Sequence, residues 1–163
     1  ELAASGASAD LYPPIPLIVG RLNAAARIEQ PLAVRVAVWL ADCDPDQVCE
    51  IAARLRLPTD CRDLARLLVH HRTALLQPAT LSAEDRLNTL ERCDGLRRAD
   101  RFKQLLAVLP LLGASPGTAD QWLKIQAAAA SVDAGAIAQA VRTQEHIAAR
   151  IRDARIEAIQ NLD

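Results

Sequence analysis

Apolar residues recur three and four positions apart along most of this chain, with charged residues between them, which is the spacing of one-faced helices. Leu17, Ile18, Leu22, Ala25 and Ile28 predict a first helix to about Ile28, with Pro16 at its start. Pro31 opens a second, faced by Leu32, Val36, Trp39 and Leu40. Asp44-Pro45-Asp46-Gln47 starts a third: Asp44 can accept from free backbone N–H groups, Pro45 needs no N–H there, and Gln47 can close a capping box. That helix carries Val48, Ile51, Ala52 and Leu55. After Pro58, Thr59 or Asp60 is expected to cap a helix whose stripe is Cys61, Leu64, Ala65, Leu68 and Leu75, ending at Pro78.

The pattern continues to the end of the chain. Ser82 heads a cap with an acid at its third position, Leu87 and Leu90 point inward, and Gly95 is expected to take a positive φ at the exit. Phe102, Leu105, Leu106 and Leu109 follow, and Pro110 should kink or end their helix, because an interior Pro costs about 3 kcal/mol. A loop over residues 113–117 leads to Thr118-Ala119-Asp120-Gln121, read as another capping box before Trp122, Ile125, Gln126 and Ala129. A short helix over Ala134 to Val141 precedes a last one starting near Thr143, faced by Ile147, Ile151, Ala154, Ala158 and Leu162. The fold class is all-α, an array of about eight or nine helices with no sheet.

Composition sharpens this. With 51% hydrophobic residues in 163, the chain can bury a core, and its aromatics are only Tyr12, Trp39, Phe102 and Trp122. Few aromatic and β-branched runs favour helix over sheet. A net charge of −1 gives no global field, so nucleic-acid binding would have to come from local patches. Cys43, Cys49, Cys61 and Cys93 form no CxxC pair, which suits core thiols in a reducing, cytoplasmic setting. No apolar run reaches about 18 residues and no signal-peptide pattern is seen, so no membrane partner is expected. Residues 1–14 are small, polar and end in a double Pro, as in a flexible lead-in. The start at Glu1 without Met is expected of a piece of something longer. The organisation expected is lead-in 1–14, helical body 15–109 and helical tail 110–163.

Arg54 to Pro58 (RLRLP), Cys61 to Leu67 (CRDLARL), Leu90 to Arg98 (LERCDGLRR) with Arg101-Phe102, Ser131 to Ile137 (SVDAGAI) and Ala154 to Ile159 (ARIEAI) occur in that order. Over about two-thirds of the chain this set resembles the C-terminal region of bacterial CCA-adding tRNA nucleotidyltransferases and the related poly(A) polymerase-type proteins. The resemblance implies a helical body and tail that hold the tRNA stem. Nucleotidyl transfer, with ATP or CTP and Mg, would belong to an N-terminal head. No Gly-Ser pair followed by an Asp-x-Asp strand occurs here, so the chain alone should hold no cofactor and add no nucleotide.

Some members carry a His-Asp-type phosphohydrolase in this region, which needs histidines and carboxylates converging on a metal. The resemblance would place its His-Asp pair at Ala41-Asp42, an earlier His near Leu17 and later ones near Arg72 and Leu76, so the region reads as degenerate. The glycines expected before the last helix are replaced by Val141 to His146.

The remaining chemistry is sparse. His70 and His71 are adjacent, so they point about 100° apart on a helix, and a structural or solvent-facing reading is favoured over metal ligation. Asp42, Asp44 and Asp46 lack the glycine and distal Glu of a calcium loop, and capping explains Asp44. Arg92, Arg97, Arg98, Arg101 and Lys103 are broken only by Asp94 and Asp100. They suit either a hinge of ion pairs on Asp94 and its neighbours, or phosphate contact along a tRNA stem. On the last helix Arg155 borders the apolar face, while Arg150 and Arg152 suit solvent or RNA. The RNA-binding candidates are therefore Arg97, Arg98, Arg101, Lys103, Arg150 and Arg152. Trp39 and Trp122 sit in apolar stripes and read as core. No nucleophile, base and electrophile stabiliser come together, which disfavours a stand-alone enzyme. The other reading is a free-standing helical module that binds a protein partner or itself.

Overall fold

The computed structural model describes residues 15–140 and 144–162, with 15–18, 144 and 145 described in backbone only. The expected lead-in over 1–14 and the glycine-replacing residues 141–143 lie outside the described residues. The helices are α1 (Ile15–Arg27), α2 (Leu32–Trp39), α3 (Pro45–Arg54), α4 (Thr59–Leu76), α5 (Ala83–Arg92), α6 (Ala99–Val108), α7 (Thr118–Ala130), α8 (Ala134–Ala140) and α9 (Gln144–Gln160). Short 3₁₀ turns occupy Pro78–Thr80 and Leu109–Leu112. The fold is all-α, with no strand among the described residues. None of the described helices is long and apolar enough to cross a membrane.

Two compact units divide the chain, one holding residues up to 70 with 111–113, the other 71–110 with the residues from 114 onward. In the first, α1 packs on α2, and Ala25, Val34, Ala37, Val48, Ile51, Ala65 and Leu68 are fully enclosed. The capping box of α3 has both halves: the Gln47 N–H donates to Asp44 Oδ1 at 2.8 Å and the Asp44 N–H to Gln47 Oε1 at 2.9 Å. On α4, neither Thr59 nor Asp60 sits outside the helix as a cap. Thr59 is already its first residue, and the first helical bond runs from the Arg62 N–H to the Pro58 carbonyl.

Three residues expected inside are exposed: Ile28 by 57%, Leu32 by 56% and Leu55 by 47%. Ile28 and Leu55 lie just past the last turns of α1 and α3, where the chain swings away from the buried face. Both helices end in a Schellman motif. The Gln30 and Leu57 N–H groups reach back to the Ala25 and Ala52 carbonyls, and Glu29 and Arg56 take φ of 49° and 51°.

In the second unit α9 packs on α5, α7 and α8, and α7 also meets α5, α6 and the 78–80 turn. Trp122 is fully buried; its indole N–H donates to the Leu75 carbonyl at 2.9 Å, and its ring stands edge-on to Phe102 with centroids 6.2 Å apart. Pro110 ends α6 by converting the chain to a 3₁₀ turn. Thr118 is not the cap of α7: Gly117 holds that position at φ 86°, and the Thr118 hydroxyl turns back to donate to the Ser115 carbonyl at 2.8 Å. Among the described side chains of α9 the enclosed one is Ile159, one position beyond the expected Ala158, while Leu162 is 46% exposed.

Candidate nucleic-acid interface

The basic cluster surrounds the exit of α5. There the Gly95 N–H donates to the Leu90 carbonyl at 2.8 Å and the Asp94 N–H to the Glu91 carbonyl at 2.9 Å, another Schellman pairing. The left-handed residue is Asp94, with φ 55°, rather than Gly95. Asp tolerates this backbone better than most residues. Gly95 is required for space: a Cβ there would run into the Leu90 side chain and approach Phe102 Cγ at 3.2 Å. The Gln126 side-chain N–H donates to the Gly95 carbonyl at 2.7 Å, which fixes the hinge to α7.

From this fixed point the cations fan out. Asp94 faces Arg97 Nε at 3.8 Å, Arg98 Nε at 3.3 Å and Arg101 Nη2 at 3.6 Å. The Arg97 and Arg98 side chains are 82% and 58% exposed, and Arg101 is 23% exposed. Lys103 reaches Asp100 at 3.8 Å and is otherwise in solvent. The pairs made by the exposed Arg97, Arg98 and Lys103 contribute at most about 1 kcal/mol each. Along residues 92–103 the cations Arg92, Arg97, Arg98, Arg101 and Lys103 outnumber the carboxylates Asp94 and Asp100. Under it Cys93 is fully buried; burial pushes its thiol up to about 12, with the Arg101 charge pulling the other way.

On α9 the candidates separate. Arg152 donates to Glu84 Oε1 at 3.0 Å, Asn88 Oδ1 at 2.8 Å and Glu91 Oε2 at 3.1 Å, so it is anchored along α5. Arg155 lies 3.8 Å from Glu91, and its Nε is enclosed without a hydrogen-bond partner. Arg150 is exposed, in a shallow groove with His146, Ala149 and Asp153. Arg97, Arg98, Lys103 and Arg150 thus face solvent, Arg101 is half-buried, and Arg152 ties two helices. The acceptors of Arg152 were readable as a polar stripe at i, i+4 and i+7 on α5, but their partner lies 61 to 68 residues away. Gln126 gave no such signal.

At the expected phosphohydrolase positions stand Ala41, Asp42, Arg72 and Leu76, and the side chain of Leu17 lies outside the described residues. Ala41 is buried at 2% exposure, and Asp42 accepts from Arg21 Nη1 at 2.7 Å. Separately, Arg72 and Leu76 are half-buried side chains of α4. Among the described residues no three of His, Cys, Asp and Glu gather as a metal site. His70 is exposed and His71 half-buried.

Known proteins resemble this chain over most of its length. The chain is 39% identical over 125 residues to the multifunctional CCA protein of Azoarcus sp. (strain BH72), covering 72% of this chain and 30% of that protein. It is 32% identical over 170 residues to the multifunctional CCA protein of Aromatoleum aromaticum, covering 88% of this chain and 42% of the relative. With the CCA-adding enzyme of Bordetella pertussis it shares 35% over 162 residues, covering 97% of this chain and 43% of the relative. The chain therefore spans less than half the length of these relatives. No protein-family profile and no solved structure matches it. Similarity over most of its length to proteins of this kind shows that the chain is a region of the CCA-adding tRNA nucleotidyltransferase family.

Proposed function

We propose that this chain is the C-terminal, tRNA-positioning region of a CCA-adding enzyme, acting in the cytoplasm. It grips the tRNA stem, while a head outside this sequence binds ATP or CTP with Mg and adds the nucleotides. The observation that carries the reading is the fan of Arg97, Arg98 and Arg101 on a hinge fixed to α7, with Lys103 beside it. An RNA stem is recognised mainly through phosphates and 2′-hydroxyls, so exposed guanidinium groups on rigid backbone suit it. Each phosphate contact releases counterions and steepens the loss of affinity with salt. In this reading Arg150 is a separate exposed contact on α9, and Arg152 holds α9 against α5.

The test is tRNA binding by the chain across a salt series, with Arg97→Glu plus Arg98→Glu as the variant. Binding should weaken roughly tenfold or more, and the log–log salt slope should fall by about one for each phosphate no longer neutralised. Unchanged affinity and slope would reject the reading. A second reading, a helical module that binds a protein partner or itself, draws on Val19, Ile28, Leu32 and Leu55, which among the described residues are the large exposed apolar ones of the first unit. It predicts salt-insensitive self-association or partner binding and no tRNA affinity, which sedimentation with and without tRNA separates.

A further inference from the structure

Asp94 is in the wrong place for a residue that only tolerates its neighbours. Its carboxylate sits at the centre of a surface proposed to meet RNA phosphates, where a negative charge repels the ligand. Its backbone is left-handed at φ 55°, a conformation that glycine takes at no steric cost and that Asp takes under strain. On charge and on backbone alone, another residue would serve better. What Asp94 adds is organisation. Its Oδ1 faces Arg97 Nε, and its Oδ2 faces both Arg98 Nε and Arg101 Nη2. Its carbonyl accepts from the Arg97 N–H at 3.2 Å and the Arg98 N–H at 2.8 Å, so one residue sets both the backbone and the side chains of the fan.

We infer that Asp94 is a positioning residue for RNA phosphates: it pre-orders Arg97, Arg98 and Arg101 as a single acceptor-binding face. The closest approach of Arg97 and Arg98 is through Nε, which leaves Nη nitrogens of each guanidinium for a second acceptor. An arginine held in its bound rotamer loses less conformational freedom when a phosphate arrives. Of the three, Arg101 is the least exposed at 23%, with its Nε enclosed, so its pairing with Asp94 is the one least screened by water. The inference rests on the phosphate-contact reading of the cluster, and its sign is opposite to that of simple electrostatics.

The experiment compares wild-type chain, Asp94→Asn, Asp94→Gly and the Arg97→Glu plus Arg98→Glu variant, using one transcribed full-length tRNA across a salt series. Thermal midpoints are measured in parallel. Asp94→Asn keeps the size and removes the charge. If Asp94 positions the fan, this variant binds tRNA about fivefold more weakly, with a salt slope shallower by about one and a midpoint close to wild type. Asp94→Gly should lose binding similarly while its midpoint holds or rises, since the left-handed strain is gone. Tighter or unchanged binding in Asp94→Asn, or retained binding in Asp94→Gly, overturns the inference. If the double Arg variant weakens binding and the Asp94 variants do not, only the positioning role fails. If the double Arg variant also binds as wild type, the phosphate-contact reading fails and the inference with it.

Discussion

Gly95→Ala tests the packing of the hinge, because Gly95 does not have a positive φ and the backbone itself would accept alanine. On entropy alone this substitution should stabilise by about 0.4–1 kcal/mol. The space says otherwise. The new methyl would run into the Leu90 side chain, lie 3.2 Å from the Leu90 carbonyl oxygen and 3.2 Å from Phe102 Cγ. Neither neighbour can yield easily. Leu90 and Phe102 are fully buried, the Leu90 carbonyl holds the Gly95 N–H, and Gln126 holds the Gly95 carbonyl. Overpacking of this kind costs about 1–3 kcal/mol. The net expectation is a loss of about 1–2 kcal/mol, or a fall in Tm of roughly 3–6 °C for a chain of this size. Urea unfolding followed by Trp122 fluorescence in a Trp39→Phe background reports on the affected unit, since Trp122 stands edge-on to Phe102. A midpoint that rises by the entropic amount would refute the steric argument.

Arg56→Gly should raise stability by about 0.5–1 kcal/mol, because an exposed non-glycine residue at φ 51° is strained; a lower urea midpoint would refute this. Cys93 predicts a pH dependence. Its folded thiol is raised from 9.0 to about 12, so its stabilisation is full below about 9 and is lost as pH rises towards 12, where only the unfolded chain is deprotonated. The slope approaches about 1.4 kcal/mol per pH unit, and Cys93→Ala should flatten that part of the stability profile relative to wild type. Phosphate release from phosphomonoesters with added nickel or manganese should stay at background; robust turnover would overturn the degenerate phosphohydrolase reading.

Local chemistry was legible in the sequence wherever one turn of helix decides it. The Asp44–Gln47 capping box, the Cys61–Leu75 stripe and the break at Pro110 each depend on residues within a few positions of one another. The cluster around Asp94 was visible for the same reason. Less legible were the choices between neighbouring positions at helix ends and those that tertiary packing makes. The Schellman bonds from the Asp94 and Gly95 N–H groups put the left-handed turn one residue earlier, on Asp94, and Gly95 lies against Leu90 and Phe102. Thr118 gives its hydroxyl to Ser115, and Gly117 takes the cap. Ile28 and Leu55 keep helical spacing but lie beyond the last turn. The role of Arg152 depends on carboxylates more than sixty positions away, a distance over which periodicity says nothing.

The Arg152 bridge also bears on the order of assembly. Glu84, Asn88 and Glu91 reach the ribosome exit well before α9, and until it arrives α5 carries polar rungs, two of them acidic, with no Arg152 to bridge them. Closing a loop of about sixty residues costs only slightly more than closing one of thirty, roughly 0.6 kcal/mol per doubling. The delay is therefore one of synthesis more than of search. When α9 docks, a shift of one residue along its axis would swing Arg152 about 100° off those rungs and move Ile159 out of its slot together. The arginine and the isoleucine act as a paired gauge, one polar and one apolar, that accepts a single register of the closing helix.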